Sequence, residues 1–234
     1  MWSARLRTAW ALGGVGGWLL SLTLPAFLLP PATAAATVDE VVDRVQATCA
    51  RTQDLSAWFH QTVSYRSLGQ VREAQGVFLL KRPAKIRWEY QKPEPRLILT
   101  DGKTLWDYSP IDKQVRVEAF GVDFASKLPM SFLAGDCQLR REFSIVTLEH
   151  AGTRTSPNTT ILDLKPLRDE VGVTRVLLEV NLQTYTVERT TVFDAAGNTN
   201  VLAFANLKLN PGLRDDQFQF TPPAGVTVVT PPRP

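Results

Sequence analysis

Cysteine, histidine and methionine are scarce: the 234-residue chain has two of each. Cys49 and Cys137 are too few for a disulfide framework, and no C-x-x-C pair is present for redox chemistry. His60 and His150 stand at spacings unrelated to the cysteines, which makes a poor metal site. No G-x-S-x-G, Walker A, G-x-G-x-x-G or H-E-x-x-H occurs, and the carboxylates are scattered through strand-like faces and turns. Nothing assembles a nucleophile with its base, a phosphate cradle or a metal cluster, so neither catalysis nor a cofactor is expected. Charge of one sign is also lacking. The formal net charge is +3 with no Lys/Arg block, which leaves no electrostatic footprint for DNA or RNA.

The small basic excess belongs to the first thirty-four residues. Arg5 and Arg7 precede an apolar stretch from Ala9 to Leu29, then Pro30-Pro31 and the small residues Ala32-Thr33-Ala34. This is the pattern of a secretory signal peptide, cleaved near Ala34. The stretch is long enough to span a bilayer as an uncleaved anchor, but Gly13, Gly14, Gly16, Gly17, Pro25 and the small-residue exit favour cleavage. Its two arginines are its only charges, so removing it lowers the net charge to +1 and leaves 35–234 as a single exported domain. No cysteine stands at the exit to take a lipid. Export permits Cys49 and Cys137 to pair across a long loop, with buried free thiols as the alternative.

Thr37-Val38-Asp39-Glu40 reads as a capping box, and Val38, Val41, Val42, Val45 and Cys49 recur at helical spacing, so a helix is expected to end between Arg51 and Asp54. From Ser56 the period changes to two. Strand-like runs at 57–66, 71–81, 85–90, 96–100, 104–108 and 114–119 are separated by turn signals, Asp101-Gly102 suggesting a type I′ hairpin. A second set occupies 143–150, 160–165, 174–182, 185–193 and 201–209. Alternation fails across Gly121–Arg141, which suits one or two short helices broken at Pro129. The fold class is mainly β (α+β), antiparallel and without an interdomain linker.

Apolar surface exceeds what a half-covered sheet needs. In 71–81 large residues occupy both parities, Val77, Phe78, Leu79 and Leu80, and 85–90 adds Ile86, Trp88 and Tyr90. Such a sheet is either sandwiched between covering layers or lines a cavity, and periodicity alone leaves both open.

Several stretches together resemble the periplasmic outer-membrane lipoprotein carrier proteins, the LolA family. They are Ala57-Trp58-Phe59-His60-Gln61; Gly76 through Lys81-Arg82-Pro83 with Arg87-Trp88; Ile98-Leu99-Thr100-Asp101-Gly102-Lys103-Thr104-Leu105-Trp106; Leu128-Pro129-Met130-Ser131-Phe132-Leu133; and Phe218-Gln219-Phe220-Thr221-Pro222-Pro223-Ala224-Gly225-Val226. The resemblance implies an incomplete antiparallel β-barrel with a helical lid over an apolar cavity. It implies a monomeric carrier that takes acylated lipoproteins from an inner-membrane ATP-driven release complex to an outer-membrane lipoprotein acceptor. Ile86, Trp88 and Tyr90 fall where the family lines its cavity, Met130, Phe132 and Leu133 on its lid, and Arg82 where an arginine latches lid backbone. A disulfide between Cys49 and Cys137 would tie the first helix to the lid region. Lys85 and Arg87 make their strand more basic than a cavity strand requires, which points to altered partner contacts, and the early end of the Pro-rich tail points to a reduced carboxy-terminal extension. A lipid- or lipoprotein-sensing regulatory domain on the same scaffold is the alternative function.

Overall fold

The computed structural model describes residues 37–120, 137–148, 158–168 and 172–230. Helix α1 spans Val38–Arg51. Strands β1 (Asp54–Tyr65), β2 (Gln70–Lys81), β3 (Lys85–Lys92), β4 (Arg96–Thr100), β5 (Thr104–Ser109) and β6 (Gln114–Ala119) follow, then a single helical turn α2 (Leu139–Glu142). The second set is β7 (Phe143–Leu148), β8 (Thr159–Pro166), β9 (Val173–Asn181), β10 (Val187–Asp194) and β11 (Thr199–Leu209), with β12 (Thr227–Val229) near the end. All twelve form one sheet in the order β12-β6-β5-β4-β3-β2-β1-β11-β10-β9-β8-β7. Neighbours are antiparallel except β12, which lies parallel to β6. The sheet is open: β12 and β7 are its edges.

α1 forms where its spacing predicts. The Thr37 hydroxyl accepts from the Glu40 amide at 3.2 Å, but the Glu40 carboxylate turns to Arg44 at 2.8 Å instead of completing the capping box. Valine is a mediocre helix former, so the helix depends on what its apolar face covers. Val41, Val42 and Val45 are buried against Leu162, Leu164, Val176, Leu178, Val180 and Val187 of β8–β10. At about 1.5–3 kcal/mol per buried side chain, those three valines contribute roughly 5–9 kcal/mol.

The sheet therefore has an inner face, which carries α1, and an outer face. Cross-strand register places Phe59, Phe78, Ile86, Trp88, Tyr90, Ile98 and Leu202 inside, and Trp58, Val77, Leu79, Arg87, Leu97, Leu99, Trp106 and Tyr108 outside. The outer apolar residues of β3–β6 are covered by the segment after β11. Phe218 is fully buried, and Phe220 lies 5.2 Å from Tyr108 and 6.5 Å from Trp106, centroid to centroid. Asp215 accepts from Lys81 and Lys85 at 2.7 and 2.9 Å, and Arg87 donates to the Gln217 carbonyl at 3.3 Å. The basic character of β3 thus serves within the molecule, holding this segment.

Some boundaries differ from the periodicity. β1 begins at Asp54, two residues before the alternation starts, because Asp54 is needed at the corner: its carboxylate accepts from the Gly212 and Leu213 amides, and its carbonyl from Asn210. The β4–β5 connection is not a type I′ turn. Gly102 has φ +95° while Asp101 does not adopt positive φ, and the Asp101 carboxylate accepts from the Lys103 and Thr104 amides, both at 2.8 Å.

Candidate functional site

The inner face of β1–β3 carries an aromatic cluster. Phe59 meets Trp88 and Tyr90 edge to face at centroid distances of 5.4 and 5.1 Å, Phe78 meets Trp88 at 5.0 Å, and the Trp88 and Tyr90 rings are nearly parallel. Gly76 makes this possible, since a Cβ there would lie 3.0 Å from the Phe59 ring. Leu55, Ala57, Leu80, Ile86 and Leu202 complete the buried cluster, with Ile98 and Phe204 packed against it. Ile86 and Trp88 are each 2% exposed. The three strand residues expected to line a cavity thus share one apolar wall.

Polarity rises from Trp88 to Tyr90. The Tyr90 hydroxyl donates to Gln61 Oε1 at 3.1 Å, and Gln61 Nε2 donates to Asn200 Oδ1 at 3.0 Å. Arg96, opposite Tyr90, holds Asp107 in a two-pronged pair at 2.7 and 2.6 Å. Burial pushes the Tyr90 phenol up to about 12, with Arg96 pulling it down and Asp107 adding to the rise.

Arg82 sits at the other end of the cluster, where β2 passes the carboxy terminus of α1. Its Nε donates to the Thr52 carbonyl at 2.9 Å, its Nη2 to the Cys49 carbonyl at 3.4 Å, and its backbone amide to the Gln53 carbonyl at 2.8 Å. The last carbonyls of a helix lack partners within it and carry the negative end of its dipole, so a guanidinium fits there. Nη2 also lies within 3.3 Å of the sulfurs of Cys49 and Cys137, which form a disulfide with Cα atoms 5.9 Å apart. Between α1 and the sheet is a small solvent-open cleft with a cavity volume of about 30 Å³, lined in part by Val45, Cys49, Leu55, Leu80, Arg82 and Val187. Leu55 and Leu80 belong to both cleft and aromatic cluster, whereas Ile86, Trp88 and Tyr90 do not line the cleft.

Met130, Phe132 and Leu133 lie outside the described residues, as does His150. Among the described residues no His, Cys, Asp or Glu side chains cluster in threes to hold a metal, and no helix is long and apolar enough to cross a membrane. Sequence reasoning missed Phe59, Leu202 and Phe204 as members of the wall. Phe59 was within reach, because the alternation of β1 puts it on the same parity as Leu55 and Ala57. Leu202 and Phe204 belong to a strand more than a hundred residues away, and only the β1–β11 pairing brings them in.

The family model described as "Outer membrane lipoprotein carrier protein LolA" matches residues 50–221. A protein named outer-membrane lipoprotein carrier protein from Dechloromonas aromatica is 33% identical over 211 residues, 90% of this chain and 95% of that protein. One of the same name from Chromobacterium violaceum is 32% identical over 91% of this chain and 96% of its own. Among solved structures, an uncharacterized conserved protein from Thermus thermophilus superposes with a TM-score of 0.53 at 15% identity, covering 82% of this chain and 98% of that one, a likeness of fold. The chain belongs to the LolA family of outer membrane lipoprotein carrier proteins.

Proposed function

We propose that this protein is a periplasmic lipoprotein carrier, a binding and transport protein without catalysis. It is exported by a signal peptide cleaved near Ala34, takes acylated lipoproteins from an inner-membrane ATP-driven release complex and passes them to an outer-membrane acceptor. The observation that carries this reading, beside family membership, is the apolar wall of Phe59, Phe78, Ile86, Trp88 and Tyr90 on the inner face of an open sheet. One sixteen-carbon chain represents on the order of 12 kcal/mol of apolar transfer, so a lipidated protein needs such a lining to leave one membrane and reach another. Ile86, Trp88 and Tyr90 hold acyl chain on the wall; Met130, Phe132 and Leu133 serve on the lid. Arg82 is the latch, and its bonds to the end of α1 are the contacts through which it would act.

Affinity purification from a periplasmic extract, followed by lipid and protein mass spectrometry, tests the reading. Acylated lipoproteins are the expected company; free phospholipid or a membrane signalling partner would favour the sensing alternative. Arg82→Leu should still load but deliver poorly to acceptor membranes, and normal transfer by that variant would remove the latch.

A further inference from the structure

The apolar wall contains two polar atoms that nothing among the described residues satisfies. Trp88 Nε1 and Thr190 Oγ1 are both fully buried and lack a hydrogen-bond partner there. Both lie on the inner face: Trp88 stands opposite Phe78 on β2, and Thr190 opposite Leu202 on β11. A buried donor without an acceptor is rare and unfavourable, and a permanent core would be expected to place a methylene there or supply a carbonyl. Trp88 is ringed instead by groups with little or no accepting power, Phe59, Phe78 and the parallel face of Tyr90. Phenylalanine would fill much of the same space with no orphan.

Position along β3 says what the donor is for. Inner-facing residues recur every second position, about 6.7 Å apart. In order they are Ile86, all hydrocarbon; Trp88, hydrocarbon with one N–H; and Tyr90, whose hydroxyl joins the Gln61–Asn200 network. A lipidated cysteine has the same order of polarity: methylene chains, then an acyl-ester carbonyl, then glycerol, sulfur and peptide. We infer that the Trp88 indole N–H receives an acyl-ester carbonyl of a bound lipidated cysteine, with the chain running toward Ile86 and the polar head toward Tyr90, Gln61 and Asn200. The inference rests on the carrier reading and adds to it a specific polar contact. Such a contact sets how far the acyl chains enter, because sliding by a few methylenes leaves the N–H unpaired again. Thr190, on the far side of β1 and β11, offers a second unmatched polar group, a hydroxyl, to the same face.

The same ester chemistry occurs in phospholipid, and the test separates the two sources. Purified wild-type protein and Trp88→Phe are titrated calorimetrically with a soluble synthetic peptide whose amino-terminal cysteine carries two palmitoyl esters, and with its di-hexadecyl ether analogue, which lacks only the carbonyls. A diacyl phosphatidylglycerol and its dialkyl ether form a second pair. Wild type should bind the ester lipopeptide roughly three- to tenfold more tightly than the ether, the range expected for one net hydrogen bond. Trp88→Phe should lose the preference, binding ester and ether with equal affinity whatever the smaller ring does to binding of both, and an unchanged far-ultraviolet circular dichroism spectrum reports an intact fold. Equal binding of ester and ether by wild type, or a preference that survives in Trp88→Phe, would overturn the assignment. An ester preference confined to the phospholipid pair would overturn the lipidated cysteine as the ligand. Failure of wild type to bind either lipopeptide would overturn the carrier reading itself, and this inference with it.

Discussion

Replacing Gly76 with alanine should destabilise the protein by about 2 kcal/mol and loosen the aromatic wall. An added Cβ would lie 1.9 Å from the Glu89 carbonyl oxygen and 3.0 Å from the Phe59 ring. The first contact is with the backbone of β3, so no side-chain rotation relieves it. The strands must part at the Gly76–Tyr90 pair, where the register is already irregular between Gln75 and Gly76. Overpacking of this kind costs about 1–3 kcal/mol, and losing the Phe59–Tyr90 edge contact adds about 0.5–1.5 kcal/mol. Against this stands a gain of about 0.5–1 kcal/mol, because alanine is less entropically unfavourable than glycine in a strand. Equilibrium unfolding in guanidinium chloride, followed by tryptophan fluorescence, should show a lower midpoint at unchanged m-value. A variant as stable as wild type, or more stable, would mean that strand propensity outweighs the clash, and the account of Gly76 would be wrong.

Two further outcomes follow from the same geometry. Replacing Cys49 and Cys137 together with serine opens a loop of 88 residues, for which chain entropy alone gives a loss of about 4–5 kcal/mol; a change in thermal midpoint no larger than that of an ordinary surface substitution would contradict it. Tyr90 has its folded-state phenol pushed up to about 12 from an ordinary value near 10, so the folded form keeps the proton longer. Its stabilisation is complete below pH 10 and is lost as pH rises from 10 through 12, amounting to about 1 kcal/mol at pH 11. Urea melts should show Tyr90→Phe losing less stability than wild type between pH 9 and 11, and parallel losses would count against the burial of the phenol.

What the sequence reveals, and what it hides, follows from the reach of each signal. Helix α1 is legible because its cap at Thr37 and its valines at positions 38, 41, 42 and 45 are local. The inner parity of β3 is legible because Ile86, Trp88 and Tyr90 alternate with Lys85, Arg87 and Glu89. The fate of the other apolar parity is not. Trp106 and Tyr108 are covered by Phe220, more than a hundred residues later, and no local pattern reports such a cover. The intramolecular role of Lys85 and Arg87 is hidden for the same reason, since Asp215 and the Gln217 carbonyl belong to that distant segment. Trp88 was legible as a large apolar residue on the wall, but its unpaired N–H was not, because only the three-dimensional neighbourhood says which acceptors are missing among the described residues.

The two apolar clusters are secured in different ways, and the difference bears on reversible binding. α1 is bolted to its half of the sheet. Besides its buried valines, Arg140 on α2 reaches Asp39 and Asp43 at 2.8 and 3.0 Å, Arg82 takes its last carbonyls, and the disulfide joins its final turn to Cys137. Exposed ion pairs of this kind are individually weak, so the valines and the disulfide dominate that attachment. The wall of Phe59, Phe78, Trp88 and Tyr90 is held by edge-to-face contacts, each worth about 0.5–1.5 kcal/mol beyond burial. Admitting an acyl chain exchanges ring–ring for ring–methylene contact and, with the Trp88 N–H engaged, gains a hydrogen bond. Much of the apolar gain on binding is then offset by contacts the empty wall already makes with itself. A carrier without an energy source of its own needs that near-balance, because an acyl chain held at its full transfer free energy of on the order of 12 kcal/mol would not be released to an acceptor on a useful timescale.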